Sequence, residues 1–129
     1  MGATNYNVSK GGALTTDGTY IYALQGGGKK IFLRYDPTAN TWSRLADTPA
    51  NVNAGGALVR LGNFIYAFQG GSQVFWRYDI AANTWATRAT LPVKENYGGA
   101  LATDGTYIYA LAGNNTAGFF RYDPVANAW

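Results

Sequence analysis

Cysteine and histidine are both absent from this chain of 129 residues, and each absence excludes a class of chemistry. Without cysteine there are no disulfides and no thiolate ligands, and without histidine there are no imidazole ligands. Catalytic pairs of the Ser-His and Cys-His types are excluded for the same reason. We therefore predict no catalytic residue, no metal site and no cofactor, although a cation site built from carboxylates alone stays open.

Charge is also sparse, with Asp, Glu, Lys and Arg making up 13% of the residues and a net charge of +3. The one adjacent basic pair is Lys29-Lys30, so the clustered basic stripe typical of nucleic-acid-binding proteins is missing. No apolar run approaches the length of a membrane span, and residues 1–10 do not resemble a signal peptide. We expect neither nucleic acid nor membrane as a partner, and the sequence assigns no cellular compartment.

Repetition is the main feature of the sequence. The stretch GGALTTDGTYIYAL at 11–24 returns as GGALVRLGNFIYAF at 55–68 and as GGALATDGTYIYAL at 98–111. A second motif follows each copy, as RYDPTANTW, RYDIAANTW and RYDPVANAW, and the final tryptophans are 43 and 44 residues apart. A fixed period of this length indicates stacked supersecondary units.

Each unit is predicted to contain four short antiparallel strands. In the first unit these cover 11–16, 19–25, 31–35 and a stretch that begins at 41–42. Asp-Gly after the first strand and Asp-Pro after the third are turn signals. The second strand is apolar on both faces, which is typical of a sheet packed between two neighbours, as in radial arrays of four-stranded blades. The sequence therefore predicts an all-β chain of three blades.

The units resemble the kelch family of β-propellers. The resemblance rests on a glycine doublet after the second strand, on Tyr-Asp before a short turn, and on a tryptophan at a fixed distance beyond it. These are Gln25-Gly26-Gly27 and Gln69-Gly70-Gly71, then Tyr35-Asp36 with Trp42, Tyr78-Asp79 with Trp85, and Tyr122-Asp123 with Trp129. The third unit has Ala112-Gly113-Asn114 in place of the doublet, so we expect its loop to differ in shape. The resemblance implies that the tyrosines and tryptophans pack between blades.

An arginine precedes each of these Tyr-Asp pairs. Arg34, Arg77 and Arg121 lie two residues before an aspartate on the same strand, hence on the same face of the sheet. We expect either a repeated ion pair or a bond to carbonyl groups of the neighbouring blade. The alternative is a ring of guanidinium groups that bind an anion.

Three blades do not close a ring, because propellers contain about four to eight. We predict an N-terminal strand within 1–10 that completes a last blade, then repeats at 11–54, 55–97 and 98–129, the last without its fourth strand. Residues 3–8 are expected to pair as the outer strand of a blade in another copy. The predicted partner is therefore the chain itself, in a head-to-tail homodimer of six blades, with a trimer of nine as second choice. Duplication, design and excision from a longer propeller fit the repetition equally.

The loops that join strands two and three, and each fourth strand to the next blade, emerge on one side, which we call the axial loop face. The predicted binding residues on this face are Lys10, Lys29, Lys30, Asn53, Gln73, Glu95, Asn96, Tyr97 and Asn114. Such side chains around a central opening would suit a glycan or a peptide.

The predicted function is a non-catalytic, self-assembling propeller scaffold with ligand binding at the axial loop face. The alternative is a fragment of a carbohydrate-active kelch-propeller enzyme or a lectin. A glycosidase would need paired carboxylates at a defined separation. Only Asp47 and Glu95 lie outside the repeated turns, where aspartate is expected to cap the backbone.

Overall fold

The structure is a computed structural model that describes residues 1–129, and its eleven strands form three antiparallel sheets. Blade 1 contains β1 (Ala13–Thr16), β2 (Ile21–Leu24), β3 (Phe32–Asp36) and β4 (Thr41–Arg44); blade 2 contains β5 (Ala57–Leu61), β6 (Phe64–Phe68), β7 (Phe75–Asp79) and β8 (Thr84–Thr87); blade 3 contains β9 (Ala100–Thr103), β10 (Ile108–Leu111) and β11 (Phe119–Tyr122). The strands of each sheet follow one another in chain order. The predicted all-β class and its antiparallel blades are confirmed. The chain holds no helix that is long and apolar enough to cross a membrane.

The first turn of each blade sets the register of the strands around it. In blade 1, Asp17 Oδ1 accepts the N–H groups of Thr19 and Tyr20 at 2.8 and 2.7 Å, and Asp104 repeats both bonds in blade 3. Blade 2 has leucine at this position and closes a tighter hairpin, in which Leu61 pairs directly with Phe64. Aspartate side chains and glycine with positive φ are the usual means of making such turns.

The blades stack face to face around their first strands, so that β1 lies against β5 and β5 against β9. Blade 2 is covered on both sides, and each side forms a separate apolar cluster with one neighbour. Tyr78 and Trp76 of blade 2 face blade 1, whereas Tyr66 and Phe68 face blade 3. A strand with apolar residues on both faces is thus explained by a neighbour on each.

An aromatic contact is repeated at both interfaces between blades. Phe32 of blade 1 packs edge-on against Trp85 of blade 2, with ring centroids 4.9 Å apart. Phe75 of blade 2 meets Trp129 of blade 3 at the same distance and Tyr122 at 5.0 Å. Edge-to-face pairs of this kind contribute about 0.5–1.5 kcal/mol beyond the area that they bury.

A left-handed asparagine joins each blade to the linker that precedes it. Asn40, Asn83 and Asn127 have φ values of 56°, 53° and 51°. The Oδ1 atom of each accepts a tyrosine hydroxyl of its own blade at 2.7 Å. The same atom accepts a linker N–H, from Gly2, Ala46 and Ala89 respectively, at 2.7 to 2.9 Å. One side chain therefore fixes both a turn and the path of a linker.

Replacing Asn83 tests this double role. Asn83→Gly removes the hydrogen bonds to Tyr78 and Ala46, and the loss of each should lower the free energy of unfolding by about 1 kcal/mol. Asn83→Ala should cost about 1 kcal/mol more, because alanine is strained in the left-handed conformation. Urea unfolding followed by tryptophan fluorescence would measure both differences. Two variants as stable as the wild-type chain would contradict the role.

Candidate functional site

Blade 3 presents an apolar face that no other part of the chain covers, which we call the exposed face of blade 3. Phe119 is 64% exposed, although its counterparts Phe32 and Phe75 are completely buried. Leu111 is 51% exposed, whereas Leu24 at the same place in blade 1 is buried. The residues that close the two interfaces inside the chain thus recur at its end without a neighbour.

Blade 1 presents the opposite side of the same kind of interface, which we call the exposed face of blade 1. Leu14 is 67% exposed there, whereas Leu58, its counterpart in blade 2, is only 7% exposed. Beside Leu14, an open and almost wholly apolar groove of about 540 Å³ reaches Trp42. The ring of Trp42 also packs on Tyr35, with centroids 5.0 Å apart. The corresponding surfaces of blades 2 and 3 are the ones that contact a phenylalanine of the preceding blade.

Residues 1–10 form no strand in the single chain. Trp42 Nε1 donates to the carbonyl oxygen of Gly2 at 3.0 Å, as Trp85 and Trp129 donate to Ala46 and Ala89 at 2.9 Å. The segment therefore lies on blade 1 as the linkers lie on blades 2 and 3. Within one chain the backbone of residues 3–8 follows the path of a linker, and its predicted pairing with another copy stays a prediction.

The predicted binding residues lie on loops and linkers at one side of the blades, with different degrees of exposure. Those that are exposed are Lys10, Lys29, Lys30, Asn53, Gln73, Tyr97 and Asn114. Two of these bond the backbone, since Gln73 Nε2 donates to the Leu91 carbonyl at 2.9 Å and Lys30 Nζ to that of Pro49 at 3.3 Å. Asn96 is half-buried and Glu95 is fully buried. Lysine, tyrosine and amide side chains of the predicted set thus lie at the surface, whereas the carboxyl group of Glu95 is buried.

The loop of blade 3 has the same backbone shape as that of blade 1, contrary to the difference that its sequence suggested. Asn114 and Asn115 have φ values of 56° and 55°, close to the 64° and 72° of Gly27 and Gly28. Asparagine tolerates the left-handed conformation better than other residues with a side chain. The doublet is therefore replaced without a change of fold.

Glu95 is the one buried carboxyl group of the chain that has no hydrogen-bond partner on either oxygen. It occupies the position that Val52 holds in the preceding linker. Burial raises the pKa of the Glu95 carboxyl to about 8, and the nearby Gly99 N–H offsets this only in part. A group with such a pKa at an interface between blades is a candidate for a functional role.

The three repeated arginines stack on aromatic rings. The guanidinium carbon of Arg34 lies 4.4 Å from the ring centre of Tyr20, Arg77 lies 4.2 Å from Phe64, and Arg121 lies 4.4 Å from Tyr107. The expected ion pairs with the following aspartates are not formed, because those carboxylates accept backbone N–H groups in their turns instead. The arginines thus pack within their own blades.

The two acids outside the repeated turns, Asp47 and Glu95, lie in different surroundings. Asp47 is joined to Arg44 by an exposed ion pair at 2.8 Å, and Glu95 is sealed in the interior. No group of three Asp or Glu side chains is placed to hold a metal ion. The arrangement offers two apolar faces, a polar loop face and one buried carboxyl group.

Three stacked antiparallel sheets, joined through their first strands, define a partial kelch-like β-propeller. Among solved structures the chain is similar to YjhT, a kelch-repeat propeller protein, with a TM-score of 0.78 and 15% sequence identity. The match covers 93% of this chain and 50% of the YjhT chain, so this chain spans half of the protein it matches. At this identity the likeness shows the fold alone. No family model and no curated protein matches the sequence.

Two single substitutions, each placing the residue of one linker at the same position of the other, test whether the carboxyl group of Glu95 is unpaired. Glu95→Val should raise the free energy of unfolding at pH 7 by about 1–3 kcal/mol, because it removes a buried polar group without a partner. Val52→Glu should lower it by at least as much, since Val52 is completely buried. Urea unfolding measures both. A destabilised Glu95→Val variant would show that the carboxyl group has a bonding partner.

Proposed function

We propose that the protein is a non-catalytic scaffold in which two copies join head to tail. The exposed face of blade 3 in one copy covers the exposed face of blade 1 in the other, and two such seams close a ring of six blades. One observation carries the proposal: the two faces bear apolar counterparts of the residues that form the two sides of the interfaces inside the chain.

The apolar half of the seam follows from the aromatic contact inside the chain. Phe32 and Phe75 each pack between a tyrosine and a tryptophan of the following blade. Phe119 has the same position in blade 3, and the next tyrosine and tryptophan in order are Tyr35 and Trp42 of the other copy. The seam would bury side chains that are otherwise exposed, and this burial would stabilise the dimer by about 25 cal/mol for each Å² of apolar surface.

The polar half of the seam follows from the linkers. Val52 N–H donates to the Lys29 carbonyl at 2.9 Å, and its own carbonyl accepts the Gly28 N–H at 2.8 Å. Val8, the counterpart of Val52, makes neither bond within one chain. In the ring, the loop at 113–118 of one copy supplies these partners to Val8 of the next. Residues 4–8 then join two blades as a linker, not as an outer strand.

The length of the chain agrees with this assembly. It spans 50% of the YjhT chain that it matches, as half of a closed propeller would. Two copies give six blades, within the usual range of about four to eight, whereas three copies give nine. A dimer therefore closes the ring with the fewest chains.

A pair of single substitutions tests the head-to-tail seam. Phe119→Asp places a charge on one face and Leu14→Asp on the other, at positions that are 64% and 67% exposed, so each variant should fold. Light scattering should give the wild-type chain twice the mass of 13.9 kDa and each variant alone the mass of a monomer. An equimolar mixture should form dimers again, because it contains one seam with both faces intact.

The matched control is Val125→Asp, which adds the same charge at a turn residue that is 95% exposed and lies on neither face. It should remain a dimer. Dimers from either face variant alone, or a mixture no heavier than the variants, would contradict the head-to-tail arrangement. A threefold mass of the wild-type chain would contradict six blades.

The proposed ligand of the assembled ring is a glycan or a peptide at the axial loop face. The support is the exposure of Lys10, Lys29, Tyr97 and Asn114 on loops and linkers of this side. A glycan array and a peptide array would reveal the ligand, and Tyr97→Ala should weaken the signal. Because Asp47 is paired with Arg44 and Glu95 is buried, we expect no turnover of aryl glycosides. Turnover would contradict the non-catalytic role and favour the alternative of an enzyme fragment.

A further inference from the structure

Glu95 departs from the repeat at a place where the departure is costly. The corresponding residues of the two other linkers are Val8 and Val52, both apolar. Val52 is completely buried, and Glu95 is buried to the same extent between blades 2 and 3. A carboxyl group has thus replaced an apolar side chain without becoming more exposed.

The surroundings of Glu95 provide no compensating charge. Its Oε1 atom lies against the backbone of Gly55 and Gly99, so closely that a Cβ atom on either glycine would collide with it. The segments packed against it, 55–56, 70–73 and 98–99, carry no titratable side chain. The flanking Lys94 and Tyr97 are exposed to solvent. A negative charge at this place would therefore be unpaired.

The linker at 91–97 is bonded at Leu91 and again at 95–97, and residues 92–94 between these points make no backbone hydrogen bond. The Glu95 N–H donates to the Ser72 carbonyl at 2.9 Å and the Asn96 N–H to that of Ala112 at 3.4 Å. Leu91, at the start of the segment, is buried in the cluster between blades 2 and 3. Movement of this segment would thus expose the part of the interface between blades 2 and 3 that lies at the axial loop face.

We propose that Glu95 is a proton-dependent latch: protonated, it stays sealed between blades 2 and 3, and on losing its proton it moves into water and opens the linker at residues 91–97. The latch would control access to the axial loop face. All of its contacts lie within one chain, so it operates whether or not the ring forms.

The direction of the pH dependence follows from the two states. In the closed state the pKa of Glu95 is about 8, and in the open state it returns to the ordinary value of 4.5. Opening therefore releases a proton, and the opening equilibrium grows by about tenfold for each pH unit between these values. Above the closed-state pKa it levels off, because both states are then deprotonated.

Amide hydrogen exchange tests the latch, with the preceding linker as an internal reference. Protection of the Glu95 and Asn96 amides, corrected for intrinsic exchange rates, should fall with rising pH up to about 8 and then level off. The Val52 and Asn53 amides bond to the Lys29 and Gln69 carbonyls at 2.9 and 2.8 Å in the same arrangement. Their protection should stay constant over this range.

Glu95→Gln provides the matched variant, because it keeps the shape of the side chain and cannot ionise. In this variant the protection of the Asn96 amide should show no dependence on pH. An equal fall in both linkers of the wild-type chain would indicate global unfolding and overturn the proposal. A fall that persists in Glu95→Gln, or constant protection in the wild-type chain, would also overturn it. None of these outcomes bears on the mass of the assembly, so the latch and the ring are tested separately.

Discussion

The packing of a phenylalanine between the tyrosine and tryptophan of the next blade is the contact on which the arrangement of the blades depends. Phe32 and Phe75 make this contact inside the chain, and both are completely buried. The contact is directional, because the phenylalanine comes from one side of a blade and the pair from the other. A chain of three blades therefore ends with one unmatched phenylalanine and one unmatched pair. The proposed assembly would therefore use the contact that the repeat already makes inside the chain.

The linkers add specificity to this apolar contact. Each asparagine of the repeated turn accepts a tyrosine hydroxyl and a linker N–H, and the neighbouring tryptophan donates to a carbonyl of the same linker. Because Gly2 makes both bonds to blade 1, the N-terminal segment is held on this blade within a single chain. Preorganisation of this kind would lower the entropy cost of ordering the segment in the proposed dimer.

The repeat made the fold predictable from sequence, since period, turn signals and apolar strands all indicate the same blade. The exposure of one face at each end also follows from three blades. The sequence did not indicate the course of residues 3–8, because an extended linker and an outer strand have the same polar and apolar pattern. In the sequence Asn83 is visible only as a residue that recurs in each unit. The two hydrogen bonds that its side chain accepts were not predictable, because one of them comes from Ala46, which is 37 residues away. The ion pairs expected for the arginines are not formed, because sequence spacing does not distinguish an aspartate that pairs from one that caps a turn.

Glu95 stands out because the residues around it in the repeat suit the positions that they occupy. Apolar residues fill the interfaces, aspartates and glycines form the turns, and the left-handed positions carry glycine or asparagine. Proteins that break such rules usually do so where function requires it. The valine of the neighbouring linker shows that the fold at this position needs no carboxyl group. Since the charge has no partner in the chain, its physical consequence is a dependence of local stability on pH. In the proposed latch, the axial loop face would be the part of the molecule that responds to pH.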